Sequence, residues 1–132
     1  MADSYGHRPR GPARLLAATR WSMQGLQAAW LHESSFRSEV LVFALLSPVG
    51  WIIAPGPVER VLLIGSLLAV LALELLNSSI EAVIERYGPE IHPLAGRAKD
   101  MGSAAVFVGL IGGALTWASL GIVPLVHRLM AA

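Results

Sequence analysis

Between Arg14 and Leu31 the apolar residues keep to one helical face. Leu15, Leu16, Thr19, Met23, Leu26 and Trp30 fall on one side, and Arg20, Gln24 and Gln27 on the other. This pattern predicts an amphipathic surface helix over about 14–32, with Trp21 and Trp30 suited to the headgroup level. The stretch His32–Glu39, HESSFRSE, reads as a short polar joint. Val40–Ala54 is uncharged but short for a full crossing at about 1.5 Å rise per residue and roughly 30 Å of hydrocarbon, so flanking residues extend the first span to about 38–54. Pro48 and Gly50 are expected to bend it. Pro55-Gly56-Pro57 makes a tight turn, and a second helix is predicted over 58–86, crossing the membrane and protruding from it. Tyr87–Gly96, with its two prolines and two glycines, reads as a loop, and Arg97–Ser103 as a charged turn before a third span over about 100–126. Ala105, Gly109 and Gly113 recur every four residues, a small-residue stripe expected to bring copies of the chain together. Residues 1–12 read as a flexible tail before a single domain, 13–132.

Composition agrees with three spans. Hydrophobic residues are 55% of the chain and charged residues only 14%, too apolar for an ordinary soluble domain of 132 residues. There is no cysteine, which excludes disulfides and thiolate chemistry, and no cleavable leader is expected ahead of the polar N-terminal stretch. The expected class is therefore an all-α membrane protein, with one surface helix and three transmembrane helices.

Charge sets the expected topology. Arg8, Arg10, Arg14, Arg20, Arg37, Arg86, Arg97 and Lys99 fall on one side of a three-span arrangement, and only Arg60 and Arg128 on the other. That asymmetry predicts that the surface helix and the second loop face the cytoplasm.

The candidate chemistry lies at the end of the second span, LELLNSSIEAVIER, residues 73–86. Glu74, Asn77, Ser78, Glu81 and Glu85 fall at i, i+3, i+4, i+7 and i+11, one helical face. A carboxylate in or near hydrocarbon costs at least about 2.5 kcal/mol on insertion scales, so a cation, a proton or a hydrogen-bonding partner is expected beside it. The deeper Glu74 suits a general base. The shallower Glu81 and Glu33 suit a hydrated Mg²⁺, which takes one or two carboxylates plus phosphate oxygens. Lys99 supplies positive charge for a phosphoryl group. Glu85 and Arg86 read as a solvated helix end, and Glu59 and Arg60 as interfacial anchors. The sequence has no phosphate-binding loop, zinc site or Ser-His-Asp arrangement, and nothing that suggests a nucleic-acid partner. A small transporter or proton-relay subunit is the reading from a different class. It is disfavoured because no polar residues continue across the second or third span. A structural adaptor built on the glycine stripe leaves Glu74 unexplained.

Three stretches together, AAWLHESSFRSE (28–39), LELLNSSIEAVIER (73–86) and GRAKDMGSAAV (96–106), resemble the prokaryotic diacylglycerol kinase family, in register from about Arg14 to the third span. The resemblance implies a homotrimeric lipid kinase of the bacterial inner membrane with sites shared between subunits. It would transfer phosphate from ATP, with Mg²⁺, to the primary hydroxyl of a lipid. Diacylglycerol is the expected substrate, and undecaprenol is the alternative within the same fold. Position by position, the resemblance implies that Glu74 is the catalytic base, with Asn77 beside it and Lys99 in the catalytic set. It implies that Glu33 and Glu81 are metal and nucleotide ligands. Arg14, Trp21, Glu90, His92, Lys99 and Asp100 match nucleotide positions, and Arg14, Glu74 and Ser103 match lipid-site positions. Trp21, Met23, His32, Pro93 and the Pro55-Gly56-Pro57 turn depart from the family's usual residues, but none of these removes a carboxylate or the lysine.

Overall fold

The computed structural model describes residues 11–88 and 92–131, and these are helical almost throughout. The surface helix α1 (Pro12–His32) starts with proline at its first position, where a missing N–H costs nothing. Glu33 alone separates it from α2 (Ser34–Ile53), so the expected polar joint over His32–Glu39 is a one-residue elbow. Two bonds fix this elbow. The Glu33 N–H donates to the Ala29 carbonyl at 2.8 Å, and Arg37 Nη1 donates to the Trp30 carbonyl at 2.9 Å, satisfying C-terminal carbonyls of α1. Pro48 sits inside α2 without ending it.

The turn 54–56 leads to α3 (Pro57–Arg86), the longest helix at 30 residues. Its buried face is Leu63, Leu67, Val70, Glu74 and Ser78, an apolar stripe that turns polar toward its C-terminal end. Arg60 closes the far end of the α2–α3 pair. It stacks on the Trp51 ring, 4.6 Å from the centroid, and its Nε donates to the Trp51 carbonyl at 3.1 Å. At the opposite end α3 stops at Gly88, whose φ of +87° is a left-handed conformation that glycine adopts without strain.

The next helix, α4 (Pro93–Thr116), begins several residues before the expected third span. His92 caps it, its Nδ1 accepting from the Leu94 N–H at 3.2 Å, and Pro93 takes the first helical position. Arg97–Ser103, expected as a turn, is therefore helical. α4 continues through a π-helical turn, Trp117–Ile122, into α5 (Val123–Ala131). Pro124 accounts for the widened turn. In a regular α-helix its ring would press on the carbonyl four residues back and offer it no N–H, and a π turn just ahead relieves both conflicts. Trp117 then fits between α2 and α3. Its Nε1 donates to the Leu63 carbonyl at 3.2 Å, and its ring lies so close to Gly50 that an added Cβ would stand 3.1 Å from it. Three helices, Ser34–Ile53, Pro57–Arg86 and Pro93–Ala131, are long and apolar enough to cross a membrane, and the chain is an all-α membrane protein.

Two residues of the small-residue stripe of α4, Gly109 and Gly113, face α3 of the same chain, while Ala105 is exposed. A Cβ on Gly109 would stand 2.5 Å from Leu73 Cδ1, one on Gly113 3.9 Å from Val70 Cγ2, and one on Gly102 2.5 Å from Asn77 Oδ1. These glycines let α4 approach α3 of the same chain. With lipid on the outside there is little hydrophobic drive between helices, and close backbone approach supplies packing instead.

Candidate functional site

Glu74 is the centre of the site. It is buried on α3, 6% exposed, with Ser78 one turn further on at 7%. The Ser35 side chain from α2 lies beside its carboxyl group, and the carboxylates of Glu39, Glu81 and Glu33 are its charged neighbours. The elbow after α1 thus brings Glu33 and Glu39 to the polar end of α3. The sequence pattern alone assigns Glu39 no role, because it falls in the joint HESSFRSE. One available signal was its spacing of four from Ser35, which puts the two on one face of α2 at the edge of the apolar run.

Glu81 meets Lys99 of α4, with Nζ 3.6 Å from Oε1. Lys99 is about half exposed and Glu81 about a quarter exposed, so the cation is open to a ligand from outside the chain. Asn77 points the other way from Glu74, against α4. Its Oδ1 is enclosed at Gly102 and has no hydrogen-bond partner. An enclosed acceptor without a donor costs about 1–3 kcal/mol, so its retention in a marginally stable fold calls for an explanation.

A cleft of about 770 Å³ opens between α1 and α3, lined among others by Ser22, His32, Glu33, Ser78, Ser79 and Glu85. Glu85 thus shares a wall with Glu33, although its position alone suggested an ordinary solvated helix end. Among the described residues no three His, Asp or Glu side chains stand close enough to hold a metal ion by themselves. The donor set still fits a hard divalent cation. Several carboxylates crowd one end of the bundle, and Mg²⁺ takes only one or two of them when phosphate oxygens and water complete its shell.

The remaining residues of interest are spread out. His92 caps α4, while Asp100 and Ser103 are exposed on α4 within a turn of Lys99. Arg14 and Trp21 are exposed on α1. At about 1.5 Å per residue, Arg14 stands roughly 28 Å along that helix from Glu33, beyond the reach of a side chain. Glu90 lies outside the described residues.

Three helices able to span a membrane thus carry a buried carboxyl group, further carboxylates and a lysine toward one end of the bundle. Residues 20–120 match the model of the prokaryotic diacylglycerol kinase family. The chain is 44% identical over 110 residues to the diacylglycerol kinase of Escherichia coli (strain K12), which covers 83% of this chain and 90% of the relative. It is 46% identical over 120 residues to the Pseudomonas aeruginosa diacylglycerol kinase, covering 91% and 98%. It is 40% identical over 114 residues to the Haemophilus influenzae diacylglycerol kinase, covering 86% and 97%. The chain belongs to the prokaryotic diacylglycerol kinase family.

Proposed function

We propose that this protein transfers the γ-phosphoryl group of ATP to the free hydroxyl of diacylglycerol, giving phosphatidic acid, at the cytoplasmic face of the bacterial inner membrane. The observation that carries this reading is the buried Glu74 carboxyl group close to the Glu81–Lys99 contact. Glu74 accepts the hydroxyl proton as the lipid oxygen bonds to the γ-phosphorus, the bond from that phosphorus to the bridging oxygen breaks, and ADP leaves. Phosphoryl transfer needs positioning and charge neutralisation more than covalent help. Lys99 supplies one fixed cation, and Mg²⁺, held by Glu33 and Glu81, would supply the charge that screens the phosphates. Asn77, beside the base in sequence, takes a catalytic part. Trp21, Glu90, His92 and Asp100 bind nucleotide, Ser103 the lipid, and Arg14 both. Diacylglycerol is favoured over undecaprenol because the relatives above carry its name. The test offers both lipids to purified protein in mixed micelles with radiolabelled ATP. Label in phosphatidic acid is expected, whereas label confined to undecaprenyl phosphate would overturn the substrate assignment.

Two features support a site shared between copies in a homotrimer. Arg14 is too far from Glu33 within one chain to share a ligand with it. The outer face of α3 also repeats every seven residues. Val58, Gly65, Ala72 and Ser79 form one row and Leu62, Ala69, Leu76 and Val83 the other, and all are exposed except the half-buried Gly65. A seven-residue repeat with small residues in one row is a pattern by which helices wind closely around one another. Since the chain has no cysteine, Ala72→Cys is expected to give disulfide-linked pairs on mild oxidation, while Phe107→Cys on exposed α4 surface stays monomeric on the gel. Equal crosslinking at both positions would remove α3 as the seam.

Glu33→Ala and Glu81→Ala are each expected to raise the Mg²⁺ concentration needed for half-maximal activity, because each removes a ligand from a site with few. Magnesium titrations that overlay the parent curve for both variants would exclude them as ligands.

A further inference from the structure

Gly102 is buried where α4 presses on α3, and a Cβ there would stand 2.5 Å from Asn77 Oδ1. The next nearest atoms, Asn77 Cγ at 3.5 Å and Ile80 Cδ1 at 3.6 Å, would make ordinary contacts. The clash is therefore with the tip of one side chain, not with the helix pair as a whole. Asn77 Oδ1 is also the one enclosed side-chain polar atom without a partner among the described residues. Holding the oxygen at Gly102 fixes the orientation of the whole amide, its N–H donors included. A glycine Cα–H can face an amide oxygen closely, as a weak donor, where a methyl group cannot fit. The same pair of helix faces continues one turn toward the membrane surface to Glu81 and Lys99, 3.6 Å apart.

We propose that Gly102 is a positioning residue for phosphoryl transfer. Its bare Cα seats the Asn77 amide oxygen and so fixes the direction in which the Asn77 N–H donors point. The proposal rests on the reading above, in which Asn77 serves the reaction. In Gly102→Ala the added methyl group displaces the amide, and the donors point elsewhere.

A double-mutant cycle tests this, because coupling between two positions shows as non-additivity. Parent, Gly102→Ala, Asn77→Ala and Asn77→Ala/Gly102→Ala are compared for kcat, KM for ATP and thermal inactivation in detergent. Gly102→Ala is expected to lower kcat at least tenfold, with KM for ATP changed less than threefold and inactivation temperature near the parent's. Asn77→Ala is expected to lower kcat as well, and the double variant to match Asn77→Ala alone, since no oxygen remains for the methyl group to displace. A general role in helix spacing predicts instead that the two losses multiply and that both Gly102 variants inactivate at lower temperature, and that result overturns the proposal. Should Gly102→Ala fail to assemble, the double variant decides: kinetics equal to Asn77→Ala uphold the seat, and a further loss overturns it. Parent-like kcat in Asn77→Ala would overturn the role of Asn77 itself. An impaired Asn77→Ala beside a parent-like Gly102→Ala would overturn only the positioning role.

Discussion

Glu74→Gln is expected to lower the rate of lipid phosphorylation by at least about 10², the lower end of what a general base contributes. The replacement keeps the shape of the side chain and its capacity for hydrogen bonds, but it cannot take the proton from the lipid hydroxyl. The fold should tolerate it. Glu74 is 6% exposed, among Glu39, Glu81 and Glu33, so a neutral amide removes one of several like charges from a crowded place. The measurement is single-turnover phosphorylation alongside thermal inactivation. A slow but fully assembled protein is the expected result. Near-parent turnover would transfer the base to another group, with Glu39, on the neighbouring helix, the first to examine.

The residues that were legible in the sequence are those whose position follows from helical periodicity alone. The apolar run into LELLNSSIEAVIER placed Glu74, Ser78 and Glu81 on α3 because a 3.6-residue repeat fixes which side chains share a face, and the structure buries Glu74 and Ser78. The ends of helices were less legible. Pro93 read as a breaker, yet at the first position of a helix it is favourable, and His92 caps that helix. The joint HESSFRSE shrank to Glu33 because the Arg37 bond to Trp30 allows the two helices to meet directly. Which face of α4 meets which neighbour was not legible at all. A stripe of small residues states that something approaches closely, not what. Here Gly109 and Gly113 meet Leu73 and Val70 of the same chain. The π turn depends on Pro124 together with the docking of Trp117 against Leu63, a contact across 54 positions that no local pattern encodes.

Lys99→Arg is expected to lower kcat by about 10², the cost of misplacing a group by roughly 1 Å at a reacting centre. Lys99 makes one ion pair among the described residues, with Glu81 at 3.6 Å, and its side chain is 52% exposed. An exposed pair of this kind contributes only about 0–1 kcal/mol to stability, and arginine preserves it, so the fold gives no reason for lost activity. Arginine also preserves the positive charge, which is all that the positive-inside bias of membrane proteins depends on. What changes is the shape of the cation. A compact ammonium on a flexible stem becomes a wider planar fork that is more weakly hydrated. The helix terminus does not compensate. α4 begins at Pro93 and His92 accepts from the N–H groups of Leu94, Ala95 and Gly96, so the lysine must act as a point charge without them. If Lys99 only anchors α4, Lys99→Arg retains the parent's kcat and KM for ATP. If it holds the transferring phosphoryl group, membrane insertion and inactivation temperature stay at parent values while kcat falls. Parent-like kinetics in a correctly inserted Lys99→Arg protein would remove Lys99 from the site and leave the metal as its main positive charge.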